Sequence, residues 1–471
     1  MLDTILQAFL EKVKTKVAEL EQELLATYNF MAFEKALTAL MNDFSATLSQ
    51  WLLQDFLSNP LVLVALKQVA ARRGMRFKEY RSLNLRLING QTITVSSPYF
   101  IKAPSKRGSK KRGPNGRGAH LGLGILGFVG YGSPSFVSEV VKMAVLCPSF
   151  EVVKAVMAER GIAIDVKTVR RLCQDLGKAG MVFRGGISLS GTEKLAGYTL
   201  VIGIDGGRLR ERRKKRRPKK EGQKRRGYHT DWREPKLFTI YLLNEQGEKV
   251  KEFAPLHDAT MGGHKAMFEL LTRYLDALDL REVQRVVFCG DGAAWIWGGV
   301  EELVTKLGVT SEQIYQVVDY THAMQNLQEI IELVPAKAQK QTKGWAELLW
   351  QGDMAGLKQG IGEVLTGKKQ EQALKKWQNY FARHEKRMSY EQFKANHLPC
   401  GSGAVESAIR RVINLRLKAA GTFWTREMAE CFLWLRSQLV SGRWHIVMKN
   451  IWRKSVQKML DLRQPATVKI T

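Results

Sequence analysis

The chain is poor in cysteine and pairs none of it by spacing. Cys147, Cys173, Cys289, Cys400 and Cys431 form no C-x-x-C unit, and their count is odd. This argues against a disulfide framework and against a structural zinc site. No apolar run reaches the length of a membrane span, and no signal-peptide pattern follows Met1; the expectation is a soluble protein in a reducing cytoplasm. Acids are also under-represented. Against 74 Lys+Arg stand 45 Asp+Glu, a formal net charge of +29. Such a surface attracts a polyanion, whose condensed counterions are released on binding, and DNA or RNA is the partner class it favours. At 471 residues and 45% hydrophobic, the chain can build about two to four domains. No internal repeat is evident.

Residues 1–70 read as helix. Leu6, Leu10, Val13, Val17, Leu20 and Leu24 step by four and three, which fits either an amphipathic helix packed in its own domain or a short dimer seam. Leu83, Leu85 and Leu87 alternate up to Asn89-Gly90, and Ile93 and Val95 follow, the pattern of a β-hairpin. Residues 102–118, KAPSKRGSKKRGPNGRG, combine turn formers with clustered cations and read as a basic linker that can follow phosphates. Residues 134–180 read as short helices. The last two, Ser149–Arg160 and Asp165–Leu176, have Ser149 and Asp165 as N-caps, Gly161 in the turn, and Ala155, Val156, Val169 and Leu172 as an expected buried seam. On so basic a chain they are a candidate helix-turn-helix, with Lys167, Arg170 and Arg171 facing DNA.

After residue 195 the texture changes. YTLVIGID (198–205), EPKLFTIYLLN (234–244), KVKEFAPL (249–256), QRVVFCGD (284–291) and IYQVVD (314–319) read as strands, with helices over 263–278 and 301–308. Three strands in a meander followed by strands alternating with helices predict a mixed α/β sheet. Residues 323–396, with Trp345, Trp350 and Trp377, read as helical, as do 403–419 and 425–461.

Three acids stand out by position. Asp205 ends the first of these strands and Asp291 the fourth, each in an Asp-Gly pair, and Glu406 lies in the first turns of a helix behind Gly401-Ser402-Gly403. An acid at the end of a buried strand is costly unless exposed or paired. Carboxylates brought side by side repel, and a hard divalent cation such as Mg²⁺ or Mn²⁺ relieves them. Ser402 is expected to cap the helix, whose dipole favours Glu406; the alternative is a surface Glu406 paired with Arg410. Asp319 and His322 form D-x-x-H after the fifth strand and admit two readings, a structural hydrogen bond or help with metal or phosphate. Residues 208–226 hold 13 Lys+Arg in 19. They read as a coreless loop whose Arg212, Arg213, Lys214, Lys215, Arg216, Arg217, Lys219 and Lys220 clamp a DNA backbone.

The pieces VIGIDGGRLR (201–210), VVFCGDGAAWIW (286–297), VVDYTHAMQNL (317–327) and GSGAVESAIRRVINLRLKAAGTFW (401–424) resemble the DDE-class transposases of bacterial insertion sequences, in particular the ISKra and ISLre groups, over about residues 195–440. The resemblance implies an α/β RNase H-like core with an all-helical insertion. It also implies catalytic, metal-binding Asp205, Asp291 and Glu406 holding two Mg²⁺ or Mn²⁺ ions, with Asp319, His322 and Arg410 in support. The expected activity is cleavage and strand transfer at the inverted repeats that end the element, by a homodimer or larger assembly on DNA. The expected organisation is an N-terminal helical region with hairpin (1–101), the basic linker (102–118), a helix-turn-helix domain (119–190), a first core segment (195–322), the helical insertion (323–396), and the last core segment with C-terminal helices (397–471). A metal-dependent nuclease or resolvase of the same fold, and a catalytically silent DNA-binding regulator, are the competing readings.

Overall fold

The computed structural model describes residues 2–103, 118–186, 194–215, 222, 227–278 and 280–460. Most of the expected basic linker, and Arg216, Arg217, Lys219 and Lys220, lie outside these residues. Two compact units are distinguished: one runs to Leu176 and resumes at Ile446, and the other is Gly177–His445. Among the described residues no helix is long and apolar enough to cross a membrane.

The first unit opens with three helices, α1 (Leu2–Thr27), α2 (Phe30–Ser58) and α3 (Pro60–Arg72). The breaks are chemical. Asn29 and Asn59 accept hydrogen bonds from the backbone N–H of Ala32 and Leu61, and Pro60 starts α3. The leucine seam of α1 is only partly used in this unit. Leu20 is buried and Phe9 stacks on Phe44 of α2, whereas Leu6, Leu10 and Val17 stay exposed. The hairpin follows as β1 (Met75–Arg86) and β2 (Thr92–Lys102), antiparallel, with Leu85 opposite Ile93 and Gly90 at φ +83° in the turn. Its strands run well beyond the alternating stretch, because α2 covers them and Leu57, Leu85, Ile93 and Val95 form a common core.

Short helix α4 (Leu121–Ile125) leads to α5 (Pro134–Leu146), α6 (Phe150–Glu159) and α7 (Val166–Met181). Ser149 and Asp165 cap α6 and α7 through Val152 N–H and Thr168 N–H, at 3.1 and 2.8 Å. The buried side of α6 is Val153 and Met157, while Ala155 is exposed and Val156 half-buried. The buried face is therefore rotated from the expected seam, Val153 and Met157 taking the core positions four residues apart. Val169 and Leu172 of α7 are buried, and Lys167, Arg170 and Arg171 are exposed.

The second unit is a mixed α/β structure around a five-stranded sheet. Its strands are β3 (Thr199–Gly206), β6 (Lys236–Leu243), β7 (Leu256–Thr260), β8 (Arg285–Gly290) and β9 (Ile314–Val318), in the order β7-β6-β3-β8-β9, with β4 (Leu209–Lys214) and β5 (Tyr228–Arg233) forming a separate ribbon. β6 runs antiparallel to both β3 and β7, while β3, β8 and β9 are parallel. Central β3 and β6 are continuous apolar runs because both faces are covered. The third strand lies later than its alternation predicts. The chain folds back through Gly247, where Val250 N–H reaches Leu242 O, but it leaves the ladder before Pro255 and rejoins at Leu256. Proline carries no N–H for a ladder.

Helix α8 (Gly263–Asp276) follows β7, and α9 (Ala294–Val304) follows β8. α9 starts seven residues before the expected helix because Ile296, Trp297 and Val300 give it a buried face. Between β9 and residue 396 the chain is helical: α10 (Tyr320–Ile331), α11 (Trp345–Gln351), α12 (Met354–Val364), α13 (Gly367–Asn379), α14 (Phe381–His384) and α15 (Tyr390–Ala395), with Trp345 and Trp377 buried. α16 (Gly403–Ile409) passes through a π-helical turn, Arg410–Asn414, into α17 (Leu415–Leu417). Then α18 (Arg426–Val440) and α19 (Trp444–Leu460) replace one expected helix, broken at Gly442 with φ +69°.

Candidate active site

Three aspartates form a row across the parallel part of the sheet. Ile204 of β3 is level with Gly290 of β8, and Gly290 with Val318 of β9. The next residues along the chain are Asp205, the penultimate residue of β3, and Asp291 and Asp319, just past the ends of β8 and β9. The buried apolar strands fix this register, so the row follows from core packing and not from any local preference of the acids.

Burial raises the Asp205 carboxyl first. The N–H of Gly206, 2.6 Å from Oδ1, opposes this; the charges of Asp291 and Glu406 add to the rise, His322 counters them, and the group ends at about 6. Asp291 is held at the base of its turn: Oδ1 accepts from Ala293 N–H at 2.9 Å, and its carbonyl accepts from Trp297 Nε1 at 2.7 Å. The turn leaves no room for a larger residue. A Cβ on Gly292 would stand 2.1 Å from the Tyr380 ring, and the Gly292 carbonyl lies 3.1 Å from His384 Nε2. Tyr380 and His384 come from the helical segment, so that segment forms one wall of the Asp291 turn.

Glu406 arrives from α16, which crosses β3 where Gly203 has no side chain; a Cβ there would be 3.0 Å from Val405. Ser402 does not cap α16 through its side chain. Its hydroxyl donates instead to Glu406 Oε1 at 2.8 Å. The Ser402 backbone, at φ −91° and ψ 11°, is not in the extended conformation from which a side chain accepts from the first turn. Arg410 is exposed and makes no ion pair with Glu406 among the described residues.

Asp319 and His322 join this group: one ligand atom each of Asp319, His322 and Glu406 lie within 4.8 Å of one another. Asp319 is buried, and both its oxygens are engaged. Oδ1 accepts from His322 N–H at 2.8 Å and lies 3.2 Å from His322 Nδ1, while Oδ2 accepts from Ser402 N–H. Burial alone would raise its pKa, but these bonds hold it well below the ordinary carboxyl value. The bond to Asp319 is in turn the largest cause raising His322; burial works against it, and Asp291 and Glu406 add to it. Both sequence readings of the pair therefore have a structural counterpart: Asp319 caps α10 and fixes the ring, and His322 stands among the acids.

Not every strand acid belongs to the group. Asp258 on β7 is fully buried, but Arg184 binds it through two nitrogens at 2.7 and 2.8 Å and Tyr274 donates to it at 3.0 Å. It is neutralised internally. Asp205, Asp291 and Glu406 are not ion-paired to any Lys or Arg among the described residues. Carboxylate oxygens in excess, with one imidazole beside them, are the donor set that suits a hard divalent cation.

Sequence reasoning does not find the roles of Ser402, Tyr380, His384 and Trp297. Ser402 is visible in the sequence, but as a backbone cap, and Trp297 stands close to its acid in the chain. Nothing in spacing connects Tyr380 or His384 to a turn about ninety residues earlier. No protein-family model, no curated protein and no solved structure matches this chain.

Proposed function

We propose that this chain is a DNA transposase of the DDE class, built on an RNase H-like core and acting by metal-dependent cleavage and strand transfer. The observation that carries the reading is geometric: the register that levels Asp205 with Asp291 across β3 and β8, and the crossing of α16 over Gly203 that brings Glu406 to them, with burial first among the causes that raise the Asp205 carboxyl. Acids perturbed by burial and by neighbouring charge cluster at functional sites. The fold part is supported by a five-stranded order in which the second strand alone is antiparallel to both its neighbours, with acids after the first and fourth strands and a helical segment before the helix that bears Glu406.

Asp205, Asp291 and Glu406 are the residues that would hold Mg²⁺ or Mn²⁺. Two such ions supply charge stabilisation to the attacking and leaving oxygens of a phosphodiester. Ser402 orients Glu406, Asp319 fixes the His322 ring, and His322 offers a hydrogen bond to a phosphate oxygen. Trp297 and Gly292 keep the Asp291 turn in shape. The +29 charge supports DNA as substrate, with Lys167, Arg170 and Arg171 on α7 the residues assigned to the element's ends and a homodimer or larger assembly expected on DNA.

The test is incubation of purified protein and Mg²⁺ with the DNA that flanks its gene. Cuts at inverted repeats and joining of a labelled 3′ end are expected, with neither from Asp205→Asn, Asp291→Asn or Glu406→Gln. Cutting without joining would make the protein a nuclease, and variants that cut at the wild-type rate would refute the metal assignment.

A further inference from the structure

The ribbon of β4 and β5 starts directly beyond the Asp205 turn, and its two faces differ. In its register Arg210 lies opposite Trp232, Arg212 opposite Thr230, and Lys214 opposite Tyr228, so these six share one face; Leu209, Arg233, Glu211, Asp231, Arg213 and His229 share the other. The second face is ion-paired, although Arg213, His229 and Arg233 are exposed. Leu209 and Glu211 are buried, Glu211 accepts from Arg233 at 2.9 Å, and Asp231 from Arg213 at 2.9 Å. Acids there neutralise the cations.

The first face has no acid. Its aromatics stay open, with Trp232 52% and Tyr228 46% exposed. Cations brace the rings. The Arg208 and Arg210 guanidinium groups lie 5.7 and 5.5 Å from the Trp232 ring centre, Arg210 also 4.6 Å from Phe423, and Arg212 5.8 Å from Tyr228. The backbone beneath is fixed, since Trp424 N–H bonds Arg210 O and Arg212 N–H bonds Trp424 O. Open aromatic rings alternating with cations on a rigid ribbon are the pattern that stacks unpaired bases while holding the phosphates between them. A paired duplex presents its phosphates to such a face but keeps its bases stacked inside.

We propose that this face of the ribbon is a binding site for unpaired DNA nucleotides, with Trp232 as the principal stacking platform, Tyr228 as a second, and Arg208, Arg210 and Arg212 on the flanking phosphates. The inference rests on the proposed function only in taking DNA as the ligand, and it adds that the strand beside the acids is held with a base out of its helix.

The test is binding in EDTA, so that it does not depend on cleavage. The probes are a short DNA duplex with one unpaired 2-aminopurine, the same duplex fully paired, and a single strand of RNA as a competitor. Wild-type protein should prefer the unpaired probe by roughly 5- to 150-fold, the range for one stacked base, and should quench its 2-aminopurine. Trp232→Ala should abolish the preference and the quenching while binding the paired duplex as before, and Trp232→Phe should keep both. Equal affinity of wild type for both duplexes, a preference that survives Trp232→Ala, or displacement by RNA at far lower concentration than by DNA would each overturn the proposal. Absence of cleavage in Mg²⁺ would count against the catalytic reading and leave these readouts standing.

Discussion

Asp205 and Asp319 sit in one row, yet their surroundings act on them in opposite directions, and the same substitution should separate them. Asp205 has a folded pKa of about 6 against an ordinary 3.8. The fold therefore favours its neutral, protonated form, and the penalty for the charge grows as pH rises from the ordinary value through about 6. Asparagine at 205 should stabilise the metal-free protein at pH 8 by about 1–3 kcal/mol, and the gain should vanish near pH 4. Asp319 is depressed instead; its contribution is present above the ordinary carboxyl value and is lost on acidification. Asp319→Asn turns an amide toward the N–H donors of His322 and Ser402, and should cost about 1–3 kcal/mol at pH 8. Thermal melts of both variants in EDTA at the two pH values check this. Shifts of the same sign at pH 8 would mean that the two acids share one role.

At the scale of elements, the helical segment between β9 and α16 is more than an appendage to the sheet. Through Tyr380 and His384 it bounds the turn that holds Asp291. Gly292→Ala places a methyl group 2.1 Å from the Tyr380 ring, and overpacking of this kind costs about 1–3 kcal/mol. The turn should yield before the ring does, because Tyr380 is itself packed edge-on against Phe381 and His384. Displacement of a catalytic group by about 1 Å costs on the order of a hundredfold in rate. Cleavage by Gly292→Ala should fall by that factor with DNA affinity unchanged. The Gly292→Ala, Tyr380→Ala pair should recover part of the loss, since the second change opens the space the first requires. A double variant no better than the single one would assign the defect to the backbone of the turn.

For the whole molecule the dominant quantity is charge. At +29 the protein should bind any DNA, with an affinity that falls steeply as salt rises. The stretch 212–226 is the densest source of that charge. Replacing its lysines and arginines with glutamine should flatten the slope of log affinity against log salt by roughly 0.9 for each phosphate the protein no longer neutralises. Anisotropy titrations of a labelled duplex over a range of salt measure it; an unchanged slope would place this stretch off the DNA. The paired face of the ribbon tempers the expectation. Arg213 is held by Asp231 and Arg233 by Glu211, so neither counts as a free cation, and the basic run is not the uniform loop its composition predicts.

Much of the second unit is legible in the sequence because its signals are local. Runs such as VIGID and VVFCGD, short, rich in β-branched residues and flanked by glycine, read as strands covered on both faces, and the acids that end them are visible as exceptions. Caps at Ser149 and Asp165, and the Asn-Gly turn, are equally readable because each is satisfied within a few residues. What the sequence by itself does not determine is whatever depends on partners far along the chain. The alternation of β4 and β5 is hidden under charge, since its cross-strand acids are nearly twenty residues away. Ser402 has the position of a helix cap, and only tertiary packing brings the Asp319 carboxylate, 83 residues earlier, within reach of its backbone N–H. The level of Asp205, Asp291 and Asp319 is set by register across buried strands. The approach of Glu406 is set by the absence of a side chain at Gly203. A one-residue slip in either would scatter the acids, and no local pattern records that constraint.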